Sequence, residues 1–356
     1  MSSPRGLGFG GFLVGLGVGW FIFTNYDVTS NLVSWILIIV GGSIVLSSLI
    51  SLTRPGLRLS GLVSNFSVGL IIALIVTSGF TVFFPWNVQS LVYRSSQEES
   101  RFLAGDITAS NVLFRTDNVN GYVRVSTWER EEYSVDLTVK GRGSSDSDAS
   151  RTIEQVDTSL EEQLVGGRQE LDLVISVPTN LWSRITVNVE VKLPADAEID
   201  LDVETTNGEI SAINLEGGTL RLDTTNGRIV FDGVEAEVID SSTTNGVISG
   251  VVEAADFTGS TTNGKIELEI PCTVSGDYDL HTTNGGVEVT VVASEDVGFE
   301  VDMRTTIGGV SLNLPNLNYS TNTNRRKVAE TTGFSTKPIQ VSITAGVTTG
   351  SCSLGT

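Results

Sequence analysis

The chain has 356 residues, of which 40% are hydrophobic, 18% charged and 7% aromatic, and its formal net charge is −20. Residues 1–93 carry only Arg5, Asp27, Arg54 and Arg58, a net of +2, which leaves 19 basic and 41 acidic residues beyond them. An apolar third joined to an acidic two-thirds excludes an ordinary cytosolic globular enzyme, and an acidic surface that repels phosphate excludes nucleic-acid binding.

Three apolar runs come first, Leu7–Phe23, Leu32–Leu52 and Leu62–Phe84, of 17, 21 and 23 residues. As helices they are long enough to span roughly 30 Å of hydrocarbon. The first lacks a small-residue cleavage site and is followed by two more runs, so it reads as a retained helix rather than a signal peptide. Arg5 and the Arg54–Arg58 loop fall on one side and Asp27 on the other. The positive-inside rule then puts the N-terminus in the cytoplasm and the long C-terminal part outside the cell. Trp20, Tyr26, Trp35 and Trp86 fall at the expected outer interface, where amphipathic rings favour the headgroup layer.

Each run also carries a row of small residues at helical spacing: Gly11, Gly15 and Gly19; Ser43, Ser47 and Ser51; Gly69, Ala73 and Thr77. Such rows let helices approach closely, either one another or a partner membrane protein. No ionisable residue lies inside a run, so no proton relay or transport path is expected. Residues 1–93 read as a three-helix transmembrane anchor in contact with membrane lipid.

Residues 94–104 are polar and read as an exposed linker. From 105 to 199 the sequence is β-rich. Asn111–Thr116 and Tyr122–Trp128 flank the turn-rich Asp117–Gly121 as a hairpin, and Tyr133–Lys140 continues the alternation. Ile153, Val156, Leu160 and Leu164, spaced 3, 4 and 4, predict one short amphipathic helix over about 149–165. Ser147 or Asp148 would cap it and Gly166-Gly167 would end it. Strands resume at Leu171–Val177 and Ile185–Leu193.

From 200 to 350 one unit recurs: Thr205-Thr-Asn-Gly208, Thr224-Thr-Asn-Gly227, Thr243-Thr-Asn-Gly246, Thr261-Thr-Asn-Gly264 and Thr282-Thr-Asn-Gly285, with a degenerate Thr305-Thr-Ile-Gly308. The asparagines are 19, 19, 18 and 21 residues apart, with 23 more to Ile307. A fixed period near 20 marks one structural rung stacked on the next. Leu201/Val203, Leu220/Leu222, Ile239/Ser241, Phe257/Gly259, Tyr278/Leu280 and Val301/Met303 precede the corners; Ile210, Ile229, Ile248, Ile266, Val287 and Val310 follow them. Period-two alternation turns these into core columns. Asn-Gly tolerates positive φ and suits a sharp corner, and threonine suits stacked strands. A leucine-rich repeat would need a helix in every unit, and none is patterned here. The fold expected is an all-β, right-handed parallel β-solenoid or β-roll behind the membrane helices.

Parallel β-helices include polysaccharide-cleaving enzymes, which need clustered carboxylates on one face. The outward columns read Asp202, Arg221, Asp240, Thr258, Asp279, Asp302 and Glu204, Asp223, Ser242, Ser260, His281, Arg304, a solvated ladder of mixed charge. Calcium between Asp279 and Asp302 would need more oxygen ligands than two carboxylates supply. His281, the single histidine, reads as a surface substitution, and no nucleophile elbow, phosphate loop or zinc spacing occurs. No catalytic, cofactor-binding or metal-ligating residue is therefore assigned. Cys272 and Cys352 are either a disulfide tying the tail to a rung or two buried thiols. Asn318-Tyr-Ser320 is a glycosylation sequon placed in a loop.

The Thr-Thr-Asn-Gly rungs, the Asn111–Trp128 segment and Val187-Asn-Val-Glu-Val-Lys-Leu-Pro194 resemble, over about 105–350, the putative-adhesin domain family of bacteria and archaea. That resemblance implies a β-helix or β-roll at the cell surface and supplies no catalytic residues. Membrane helices ahead of a β-roll are also similar in layout to envelope-stress regulators with a toast-rack domain. Five Lys against 17 Arg and 42 acidic residues resembles the composition of halophilic archaeal proteins, whose acidic surfaces stay solvated in high salt. The expected function is that of a non-enzymatic integral membrane protein displaying the solenoid outside the cell to bind a surface ligand or to adhere. The alternative is an envelope sensor acting through a membrane protein partner.

Overall fold

The computed structural model describes residues 13–14, 16–18, 66–70, 72–73, 93 and 95–356. The chain divides into two units, Met1–Val92 and Tyr93–Thr356. In the first, the described residues are helical. The expected span Leu32–Leu52 lies wholly outside the described residues, and the other two spans lie largely outside them. Among the described residues no helix is long and apolar enough to cross a membrane.

The second unit is built of strands. It begins with β1 (Ser95–Asp106), β2 (Asn111–Asn120), β3 (Val123–Trp128) and β4 (Glu132–Gly143), then helix α1 (Asp146–Ile153), β5 (Asp157–Val165), β6 (Arg168–Ser176) and β7 (Ile185–Pro194). The repeats supply β8 (Glu198–Asn207), β9 (Ile210–Ile213), β10 (Glu216–Thr224), β11 (Ile229–Asn245), β12 (Ile248–Asn263), β13 (Ile266–Ile270), β14 (Gly276–Asn284) and β15 (Val287–Val291). The last are β16 (Val297–Ile307), β17 (Val310–Asn313), β18 (Leu317–Asn322), β19 (Arg326–Thr331), β20 (Ile339–Thr349) and β21 (Cys352–Gly355).

Each coil is two strands joined by one corner, and equivalent strands pair in parallel from coil to coil. One sheet runs β6–β2–β8–β10–β11–β12–β14–β20–β16. The other runs β7–β3–β9–β11–β12–β13–β15–β21–β17. β11 and β12 are long because each closes one coil and opens the next. In β11 the passage is made at Gly233, whose φ of 66° and local register shift turn the strand from one sheet to the other. Every apolar position assigned to the core columns is buried. Ser241 and Gly259 leave room for Phe257, which meets Phe231 edge-on at 5.8 Å and stacks on Tyr278 at 5.9 Å.

The expected positive φ is found at the corner glycines Gly121, Gly285, Gly308 and Gly350. Gly208, Gly227, Gly246 and Gly264 are not in the left-handed region, and neither are the asparagines before them, so their corners are tight for another reason. Glycine is required because coils approach closely: a β-carbon at Gly227, Gly246 or Gly264 would stand 1.6 Å from the preceding corner glycine's carbonyl oxygen. Around it Thr224, Thr243, Thr261, Thr282 and Thr305, the first threonines of their repeats, point inward and donate to the neighbouring corner glycine's oxygen, as Thr243 does to Gly227 at 3.0 Å, whereas the buried Thr205 hydroxyl has no partner among the described residues. The asparagines form a ladder, Nδ2 to Oδ1, through Asn120, Asn207, Asn226, Asn245, Asn263 and Asn284 at 2.8–3.0 Å.

Several expectations are corrected here. The 94–104 segment is not a free linker, since Ser95–Asp106 pairs antiparallel with β4 along its length. Asn111–Trp128 is not a hairpin: β2 and β3 pair in parallel with β6 and β7 on one side and with β8 and β9 on the other, so they form a coil inside the stack. The helix stops at Ile153, with Ser145 as its N-cap and Glu154 as its C-cap. Leu160 and Leu164 lie instead in β5, paired antiparallel with β6. Gly166-Gly167, both at positive φ, form the two-residue turn between those strands.

The coils also do not follow chain order. β20 and β21 insert between the coil of β14 and β15 and the coil of β16 and β17. The hairpin of β18 and β19 folds antiparallel onto β16. Finally, Cys352 pairs with Val287, whereas Cys272 follows Ile270, which pairs with Val291 four residues along β15. That offset is roughly 13 Å along the strand. Both cysteines are buried free thiols.

Candidate functional site

In a parallel stack, residues at equal positions form columns about 4.8 Å apart per coil. One outward column reads, in coil order, Asp117, Glu204, Asp223, Ser242, Ser260, His281, Gly346, Arg304. It is acidic at its start, hydroxylated in the middle and basic at its end. Beside it runs an exposed threonine column, in which Thr244, Thr262, Thr283, Thr348 and Thr306 lie two residues further along the same strands.

These two columns line a groove of roughly 760 Å³ crossing five coils, from Ser242 to Arg304. At its basic end His281 and Arg304 flank Gly346. A β-carbon at 346 would lie 2.5 Å from His281 Nδ1 and 3.7 Å from Arg304 Nε, so the glycine lets the His281 ring lie over the strand beside the Arg304 guanidinium. His281 Nε2 is 3.0 Å from Asp279 Oδ1. Arg326, directly across from Arg304 in β19, is held bidentate by Asp302, at 3.1 Å from Nε to Oδ1 and 2.8 Å from Nη2 to Oδ2. Among the described residues no carboxylate stands within ion-pair distance of Arg304, which is exposed.

The acidic end differs in kind. Arg115, Asp117, Asp172, Asp202 and Glu204 line a cavity of about 400 Å³. Arg115 reaches Glu170 at 2.9 Å and Asp172 at 3.4 Å, and Arg168 joins Glu170 at 2.9 Å to Asp200 at 3.2 Å. Glu170 is held below the usual carboxylate range by Arg168 and Arg115. Glu204 is raised, first by burial and then by Asp117, Asp223 and Asp202. This end is a structural ion-pair network whose cations are already engaged.

Asp279 and Asp302 are not neighbours. Thr344 of the inserted strand separates them, and each carboxylate already holds a cationic or imidazole partner. Among the described residues no three His, Cys, Asp or Glu side chains gather as metal ligands. Asn318 lies on β18 rather than in a loop, exposed, with Nδ2 donating to Thr332 Oγ1 at 2.9 Å. Sequence reasoning placed His281 and Arg304 in one column but not Gly346 between them. The available signal was Val347-Thr-Thr-Gly350, a degenerate copy of the repeat at the matching distance from the core residues Ile343 and Ala345.

The described strands define a repetitive β domain of coils stacked in parallel. Residues 113–349 match the Toastrack DUF4097 family, and the chain belongs to that family. No curated protein matches the sequence. Among solved structures it is similar to a "putative cell adhesion protein" of Clostridium sporogenes at 8% identity, covering 72% of this chain and 99% of that one, TM-score 0.37. It is also similar to a "putative adhesin" of Bacteroides fragilis at 9% identity, 72% and 97% coverage and TM-score 0.32. A further "putative adhesin", of Parabacteroides distasonis, matches at 11% identity, 74% and 99% coverage and TM-score 0.31.

Proposed function

We propose that this chain is a non-enzymatic, multi-pass membrane protein that displays its acidic β-solenoid outside the cell for surface binding or adhesion. The observation that carries this reading is the groove across five coils, whose walls are repeated hydroxyls with a cationic end. Such a surface offers many weak directional contacts to an extended polar ligand, which is recognition rather than bond-breaking chemistry. The apolar runs of the first 93 residues supply the anchor, with the N-terminus cytoplasmic by the positive-inside rule. The acidic balance with only five Lys suits an exterior of high salt, as in halophilic archaea.

A second reading, an envelope regulator, is favoured by the small-residue rows such as Gly11, Gly15 and Gly19, which offer a helix-packing face to a membrane partner. Protease shaving of intact cells carrying a tag at each terminus tests the display. The expected result is release of the C-terminal tag with the N-terminal tag protected. Complete protection that is lost on lysis would place the solenoid inside and overturn it. Cells producing the chain without residues 105–356 should lose surface attachment. If attachment persists while crosslinking through the Gly11–Gly19 face captures a membrane partner, the regulator reading replaces adhesion.

A further inference from the structure

We propose that the groove from Ser242 to Arg304 binds an extended, carboxylate-bearing oligosaccharide, oriented with an acid group at the Arg304 end. This rests on the surface-binding reading above and names its site and ligand class.

The chemistry of the walls selects the ligand. Hydroxyls of Ser242, Ser260, Thr244, Thr262, Thr283 and Thr306 both donate and accept, so they match the hydroxyls of a sugar chain and not an apolar ligand. They recur once per coil, at about 4.8 Å, over four steps or roughly 19 Å. A ligand that repeats along its own axis can satisfy each coil in the same way, and an extended glycan does so. A compact small molecule would fill only one or two of the steps.

The ends select charge and direction. Arg304 is exposed, and its guanidinium presents a fork of donors suited to a carboxylate. Arg326 beside it is already neutralised by Asp302, so Arg304 is the cation left to bind. The absence of a side chain at Gly346 brings the His281 ring close beside Arg304, so an acid group on the guanidinium also meets a polar ring. At the opposite end Glu204 and Asp223 continue the same column and repel an acid group. Asp223 also accepts the Ser242 hydroxyl, which closes the groove on that side. A chain of single acid charge is therefore bound one way round.

The test is isothermal titration of the full-length chain, at fixed salt, with a malto-oligosaccharide carrying one terminal uronic acid, the neutral malto-oligosaccharide of equal length and polyphosphate. The uronic-acid-ended chain is expected to bind, and Arg304→Glu to weaken it by about tenfold or more, the loss of one charge-assisted contact and its replacement by repulsion. Thr262→Tyr, which fills the groove from an exposed position, should weaken binding without lowering the melting temperature. Arg130→Ala, at an exposed arginine paired with Glu132 far from the groove, should leave binding unchanged. Equal binding by wild type and Arg304→Glu overturns the proposal, as does polyphosphate binding that equals that of the uronic-acid-ended chain and falls equally in Arg130→Ala. If attachment depends on residues 105–356 but the titration shows no uronate binding, the ligand assignment falls and the display reading stands. If attachment is independent of those residues, the display reading falls whatever the titration shows.

Discussion

Gly246 stacks on Gly227 so closely that a β-carbon at 246 would stand 1.6 Å from the Gly227 carbonyl oxygen. Thr243 donates to that oxygen at 3.0 Å from the side, so the contact cannot open without also breaking a partly buried hydrogen bond. Gly246→Ala is expected to destabilise the solenoid by about 3 kcal/mol, an overpacking effect in which the obstacle is backbone. Urea unfolding of the variant against wild type measures it. A change under about 0.5 kcal/mol, the range of a neutral surface substitution, would show that the corner relaxes.

Removal of residues 338–356 should damage two coils at once, the one on either side of the inserted coil. β20 and β21 are the parallel partners of β14 and β15 on one side and of β16 and β17 on the other. Without them Tyr278, Leu280, Val301 and Met303 lose covering neighbours, and both coils expose unpaired strand edges. Hydrogen exchange should show lost protection in 276–291 and 297–313 together, with 198–245 retained. Selective loss in 297–313 alone would fit coils stacked in chain order.

The Glu204 carboxyl gives a pH and salt signature. Its pKa is raised in the folded chain by burial and by Asp117, Asp223 and Asp202. A raised acid holds its proton more tightly when folded, so its contribution is present below the ordinary carboxylate range and is lost as pH rises through the raised value. Glu204→Gln is therefore expected to raise the melting temperature at neutral pH and to leave it unchanged at acid pH. In about 1 M salt, where the Debye length falls to roughly 3 Å, the neutral-pH difference should shrink. A melting temperature equal to wild type at neutral pH and low salt would remove Asp117, Asp202 and Asp223 as a source of strain.

Cys272 and Cys352 should behave as two protected thiols. Burial pushes each up to about 11, so little thiolate forms near neutral pH. Alkylation of the native chain at pH 8 should be slow, with two groups per chain reacting on unfolding whether or not reductant is present. A thiol count of zero in unfolded, unreduced protein would mean the pair is oxidised and that the coil register brings them closer than β13, β15 and β21 allow.

Much of this protein is determined by its sequence alone. The near-20-residue period places Ile210, Ile229, Ile248, Ile266 and Val287 in one buried column because a parallel stack demands the same kind of residue at the same place in every coil. The acidic, lysine-poor surface and the apolar first third are composition, and need no structure to be read.

What only the tertiary structure decided is non-local. The spacing of Ile153, Val156, Leu160 and Leu164 suits a helix as well as it suits the end of α1 followed by a strand. Pairing with β6 through the Gly166-Gly167 turn settles it in favour of the strand. Coil order was hidden because Asn118-Val-Asn-Gly121 and Val347-Thr-Thr-Gly350 are worn copies of the repeat, and hydrogen bonds between coils carry no record of chain order. The groove's basic end depends on that insertion: β20 supplies Gly346, and only its arrival between β14 and β16 sets His281 and Arg304 on either side of a glycine that leaves room for the imidazole ring.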